Sequence, residues 1–157
     1  LMLMTAAMAF ARAEPLQQDV WATAISERPS DGRQVIFRYV KEFAASVDRS
    51  EFPQVFVLAW RYASETGMPK GSTLDSMYEL EDRLAAHVES ANRGRLVMIS
   101  TGENIRLWTY YAKSGSEFRS ALSAALIPES KFPVEVSTKH DPAWSEYERF
   151  KQGVQEK

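Results

Sequence analysis

Residues 54–62, Gln-Val-Phe-Val-Leu-Ala-Trp-Arg-Tyr, carry apolar side chains at odd and even positions alike. A strand sends successive side chains to opposite faces, so a strand with this pattern has to be covered on both sides. The run therefore predicts an interior strand, entered from Pro53 and left through the Gly- and Pro-bearing stretch 65–71. The rest of the chain has to be arranged around it.

Upstream, residues 20–26 (VWATAIS) and 33–40 (RQVIFRYV) are β-rich and are separated by the turn-forming cluster Arg28-Pro-Ser-Asp-Gly32, which predicts a hairpin. Downstream, Ser72 or Thr73 is the expected N-cap of a helix running to about Ala91 and stopped by Asn92-Arg-Gly94. Residues 95–101 and 105–112 flank Gly102-Glu-Asn104 as a second hairpin. Ser114 or Ser116 caps a second long helix, with Phe118, Leu122, Ala125 and Leu126 on one face, that ends before Pro128. Residues 132–138 alternate and predict an edge strand, given Pro133. Asp141-Pro142 then opens a short helical segment, with Asp141 as N-cap and Pro142 at the first helical position.

From Pro53 onward the order is strand, helix, strand, strand, helix, strand. This is the order of a ferredoxin-like βαββαβ core, here preceded by an N-terminal β-hairpin. Right-handed crossovers place both long helices on one face of an antiparallel sheet, giving an α+β two-layer sandwich. Residues 14–157 contain no repeat or linker that would divide them and read as a single α+β domain. Residues 1–13, LMLMTAAMAFARA, form an apolar run that closes on Ala11-Arg-Ala13, the small-x-small spacing of a signal-peptide cleavage site. They read as a signal peptide truncated at its basic start, with processing after Ala13 and a periplasmic or secreted product. No run approaches the roughly 20 apolar residues of a transmembrane helix.

Composition narrows the chemistry. Nineteen Lys+Arg against 21 Asp+Glu give a net charge of -2, so no global positive field collects phosphates and nucleic acid is disfavoured as a partner. Cys is absent, which excludes disulfides, thiolate metal sites and a cysteine nucleophile. The histidines are His87 and His140 alone, too few for the His and Asp set that a His-Asp dipeptide such as His140-Asp141 would need around a metal. There is no nucleophile elbow, phosphate-cradling Gly-rich loop or His-Glu-x-x-His segment. Neither a metal nor a cofactor is expected.

Glu81 is out of place for a bland core. At about 100° per residue, Leu74, Met77, Leu84 and Val88 define an apolar helix stripe, and Glu81 projects within it. A bare carboxylate there would cost several kcal/mol, so it needs donors, for which Arg61, Arg106, Tyr111 and the Trp108 indole are candidates. Such a group is a structural anchor or a ligand-binding or acid/base carboxylate. Glu79, Arg83 and His87 form an i, i+4, i+8 series on the same helix and read as a solvated salt-bridge row. Trp144, Tyr147 and Phe150 recur every three residues and read as an aromatic clasp that closes the sandwich. Arg106, Trp108 and Tyr110 share one strand parity, as do Phe56, Leu58, Trp60 and Tyr62. On a helix-free sheet face they would resemble a base-stacking surface.

The chain resembles bacterial domains of unknown function catalogued as family 695. The resemblance is carried by Trp21, the Glu51-Phe-Pro53 entry to the strand ending Ala59-Trp60, Leu80-Glu-Asp-Arg-Leu84, Tyr110-Tyr-Ala112 and, most specifically, Asp141-Pro-Ala-Trp144-x-x-Tyr147-x-x-Phe150. It implies an α+β domain without an established activity, joined in some chains to a regulator-of-ribonuclease-E-type domain. The expected function is that of an exported, non-enzymatic binding or regulatory domain with an unidentified protein or small-molecule partner. The alternatives are a hydrolase or transferase that uses Glu81 in a cleft, and a weak single-stranded nucleic-acid module on the open sheet face.

Overall fold

The computed structural model describes residues 14–155, so the leader expected over residues 1–13 lies outside the described residues. The strands are β1 (Val20–Glu27), β2 (Gln34–Glu42), β3 (Gln54–Arg61), β4 (Gly94–Gly102), β5 (Ile105–Ala112) and β6 (Val134–His140). The α-helices are α1 (Gly71–Leu84), α2 (Gly115–Ala125) and α3 (Ser145–Gln155), and a π turn, Ala85–Glu89, continues α1. All six strands join one sheet in the order β1-β2-β4-β5-β3-β6, and every neighbouring pair is antiparallel.

β3 is covered on both sides, as its double-parity pattern requires. Phe56, Leu58 and Trp60 point to the face packed by Met77, Leu80, Leu84 and Val88 of the first helical segment and by Phe118, Ala121, Leu122 and Ala125 of α2. Register sets these rings beside those of β5: Phe56 lies opposite Tyr110, Leu58 opposite Trp108 and Trp60 opposite Arg106. Phe56 also stacks on Phe118 with ring centroids 4.2 Å apart. The other parity, Val55 and Val57, faces a second core made with Phe52, Val97, Tyr111, Trp144 and Tyr147.

That second core corrects the expectation of two layers. α1 and α2 share one face, but α3 forms a third layer on the opposite one, because Trp144 and Tyr147 fold back onto it and are fully buried. Phe150 is half-buried against Phe37 and Tyr39 of β2, at centroid distances of 5.0 and 5.1 Å. The Trp144 ring lies nearly parallel to Tyr111 at 4.1 Å, and its indole N–H donates to the Phe52 carbonyl at 2.9 Å. Trp144 holds a left-handed backbone, φ +55°, which is costly for a bulky residue and here is held by that packing.

Local boundaries also differ from expectation. Asp141 is not at the cap position: a turn through Pro142, Ala143 and Trp144 intervenes, and its carboxylate reaches across to accept from the Ser145 and Glu146 amides at 2.8 and 3.1 Å. α1 begins at Gly71 from an extended Lys70 without a side-chain cap, ahead of Ser72 and Thr73. Ser114 does cap α2, accepting from the Glu117 amide. The β4–β5 turn places Glu103 and Asn104 at φ +54° and +65°, the left-handed pair of a tight two-residue hairpin.

Candidate functional site

On the sheet face shared with α1, β5 presents Arg106 and Trp108 two residues apart and therefore side by side. Glu81 projects from α1 toward both, and one oxygen, Oε1, accepts from Arg106 Nη2 at 2.5 Å and from Trp108 Nε1 at 2.9 Å. Arg106 Nη1 donates to the hydroxyl of its cross-strand partner Thr101 at 2.9 Å. The guanidinium carbon lies 5.5 Å from the Trp108 ring centroid and 5.8 Å from that of Tyr78. Arg106 is only 7% exposed, and its Nε is enclosed without a hydrogen-bond partner. A buried guanidinium is thus neutralised by one carboxylate and fixed by one hydroxyl, with two aromatic rings close by.

Two other candidate partners of Glu81 are excluded by register. Arg61 follows Trp60 and so has the opposite parity; it is exposed at the end of β3. Tyr111 likewise faces the second core, where its hydroxyl donates to Asp141 Oδ2 at 2.7 Å. Burial, together with that bond, raises the Tyr111 pKa far above the ordinary phenol value. Desolvation pushes the Asp141 carboxyl up, but the Tyr111 hydroxyl and the Ser145 and Glu146 amides outweigh it and leave its pKa below the usual value. Burial pushes the Tyr147 phenol up to about 12, and its hydroxyl donates to the Val40 carbonyl at 2.5 Å.

The base-stacking surface is corrected as well. Phe56, Leu58, Trp60, Trp108 and Tyr110 lie beneath α1 and α2 and are at most 5% exposed, so their faces cannot receive bases. Glu79, Arg83 and His87 do not pair along the helix. Glu79 meets Lys131 at 2.5 Å, Arg83 donates to the Ala125 and Ile127 carbonyls at the end of α2, and His87 is exposed. Among the described residues no three His, Asp or Glu side chains gather as a metal site, and no helix is long and apolar enough to cross a membrane.

Arg106 borders a surface groove of about 260 Å³ between α1 and the β2–β4 part of the sheet. Its floor is Ile36 and Arg38 of β2 with Ile99 and Thr101 of β4; Leu74 and Tyr78 of α1 form one wall, and Met68 and Pro69 of the preceding loop also line it. Leu74, expected in the core stripe, is half-buried along this wall, and Tyr78 is 50% exposed. Arg38 is exposed, and its guanidinium lies 5.8 Å from the Trp21 ring. Arg38, Tyr78 and Thr101 do not stand out as site residues in the sequence. A cation inside the apolar run Val35-Ile-Phe-Arg-Tyr-Val40 was a signal for the first, and the four-residue step from Leu74 for the second. Thr101 gave none without the β4–β5 register.

No curated protein matches the chain in sequence. The profile of the Family of unknown function (DUF695) matches residues 19–150, a stretch that includes β1, the Glu81–Arg106 pair and the turn through Trp144. The chain belongs to that family of unknown function.

Proposed function

We propose that the domain is a non-enzymatic binding module whose ligand seat is the groove beside α1. One observation carries this reading: Glu81, the candidate acid/base carboxylate, gives a single oxygen to both Arg106 and Trp108, and so serves to hold a cation that borders the groove. General acid/base catalysis needs a group free to exchange its proton with a substrate, and a carboxylate engaged by a guanidinium and an indole is a poor one. The apolar walls with a few convergent polar groups suit a ligand seat instead. The test is a thermal-shift screen of metabolites and ions, with each responding compound then incubated with the protein and followed by proton NMR. Saturable stabilisation without conversion is expected; turnover of a ligand that is lost in Glu81→Gln would replace this reading with an enzymatic one.

Two further parts of the reading belong with it. Export is supported by the apolar run and Ala-x-Ala spacing of residues 1–13, and N-terminal sequencing of the protein from fractionated cells tests it. A cytoplasmic protein that still carries residues 1–13 ends it. A ferredoxin-like unit running from β3 to β6, extended by a β1–β2 hairpin on its β4 side, is supported by the β4-β5-β3-β6 order within the sheet.

A further inference from the structure

We propose that the groove takes a small carboxylic acid with an apolar, preferably aromatic, body, bound as a monoanion with its carboxylate on Arg38; this rests on the reading of the domain as a binding module. The charge of the site sets the ligand's charge. Two cations line the groove, Arg38 and Arg106, and no carboxylate does. Arg106 is already neutralised by Glu81 at 2.5 Å. Arg38 has no carboxylate within ion-pair distance among the described residues; Trp21 lies beside it and Thr23 is its cross-strand neighbour. One positive charge is therefore left over. A planar guanidinium pairs with a carboxylate through two parallel hydrogen bonds. A dianion would bring a second negative charge that the groove does not balance, with Glu81 just behind Arg106.

The remaining surface sets the ligand's body. Ile36, Leu74, Ile99 and Pro69 offer apolar contact, and the half-exposed Tyr78 ring offers a face for stacking. At about 260 Å³ the groove lies just below the roughly 300 Å³ lower end of ordinary ligand pockets, which suits a compact molecule.

The experiment titrates the intact domain by protein NMR and calorimetry with three probes of similar shape: 3-phenylpropionate, its neutral amide 3-phenylpropanamide, and the dianion phenyl phosphate. The propionate is expected to bind saturably, shift resonances of residues around Arg38 and Tyr78, weaken with added salt, and exceed both other probes by tenfold or more. Arg38→Gln, a change at an exposed side chain, should lower affinity for the acid about tenfold and leave the amide unchanged; Tyr78→Ala should weaken acid and amide alike. Melting curves of both variants check that they fold. Equal binding of acid and amide, or an Arg38→Gln variant that holds the acid as well as the parent, overturns the carboxylate assignment while leaving a binding module in place. Tighter phenyl phosphate overturns it in favour of a phosphorylated ligand. If none of the three binds, the proposal falls, whereas the binding-module reading falls only if the broad thermal-shift screen is silent too.

Discussion

Glu81 shows how a residue that interrupts a pattern can be explained by its partners. In an apolar helix stripe a carboxylate could be replaced by Leu with a gain in packing, but only if nothing depended on its charge. Arg106 does depend on it: at 7% exposure it would keep a charge with only Thr101 bound to it. Glu81→Leu is therefore expected to destabilise by about 3–5 kcal/mol, and Glu81→Gln, which keeps an acceptor for the Trp108 indole, by less. Urea denaturation of the two variants gives the order, and a Leu variant at least as stable as the parent would show that the ion pair contributes nothing. Asp141 makes the pH-dependent counterpart. Its folded pKa lies below the reference value of 3.8, so the ionised form is favoured by folding. The stability it contributes is complete above that value and is lost as pH falls through the lower, folded pKa. Asp141→Asn should lower stability at pH 7 and flatten the acid limb of a plot of stability against pH below about 4; an unchanged acid limb would place the acid sensitivity elsewhere.

At the scale of elements, the closing segment depends on one strained residue. Trp144 accepts a left-handed backbone, stacks on Tyr111 and donates to Phe52, so Trp144→Ala should cost about 3–5 kcal/mol, read from the shift in denaturation midpoint. A midpoint within error of the parent's would mean that the ring contributes no packing. Gly94, where β4 begins, is a close approach between sheet and helices: a Cβ there would lie 2.9 Å from the Phe118 ring and 3.0 Å from Val88. Gly94→Ala is expected to destabilise by about 1–3 kcal/mol through overpacking, and Phe118→Leu in the same chain should recover part of the loss. These elements were unequally legible in the sequence. The double-parity pattern of β3 and the stripes of α1 and α2 are local periodicities, and they carry the α+β class because burial enforces them. The third layer was hidden, because whether Trp144, Tyr147 and Phe150 close over the helices or cross to the other face depends on a three-residue turn and a left-handed Trp. The groove was hidden for another reason: it exists only where β2 pairs with β4, which joins residues about 60 apart in the chain and brings Arg38 within reach of Arg106. Parity alone correctly grouped Arg106 with Trp108, yet it could not reject Arg61 and Tyr111 until the face covered by α1 was known.

For the molecule as a whole, the two cores are not separable bodies. β3 contributes Phe56 and Leu58 to one and Val55 to the other, β4 contributes Ile99 and Val97, and β5 contributes Trp108 and Tyr111. Loss of either helical cover would expose one side of strands whose backbone bonds and opposite faces still hold the other core in place. Half-unfolded states of that kind bare apolar surface without releasing the entropy of the strands, so they should be sparsely populated. The chain is expected to unfold in one transition. Its tryptophans allow a direct check: Trp60 and Trp108 report on the α1–α2 face, Trp144 on the α3 face, and Trp21 is exposed. In urea, Trp144→Phe silences the reporter on the α3 face, and Trp60→Phe with Trp108→Phe silences those on the other. Each variant shifts the midpoint by its own packing cost, so the comparison is made within each protein, between tryptophan fluorescence and far-ultraviolet circular dichroism. The two probes should give the same midpoint in each protein. If fluorescence of the variant retaining Trp144 fell at a lower urea concentration than its backbone signal, α3 would be melting off an otherwise intact sheet. The aromatic clasp would then be a detachable cover and not half of a shared core.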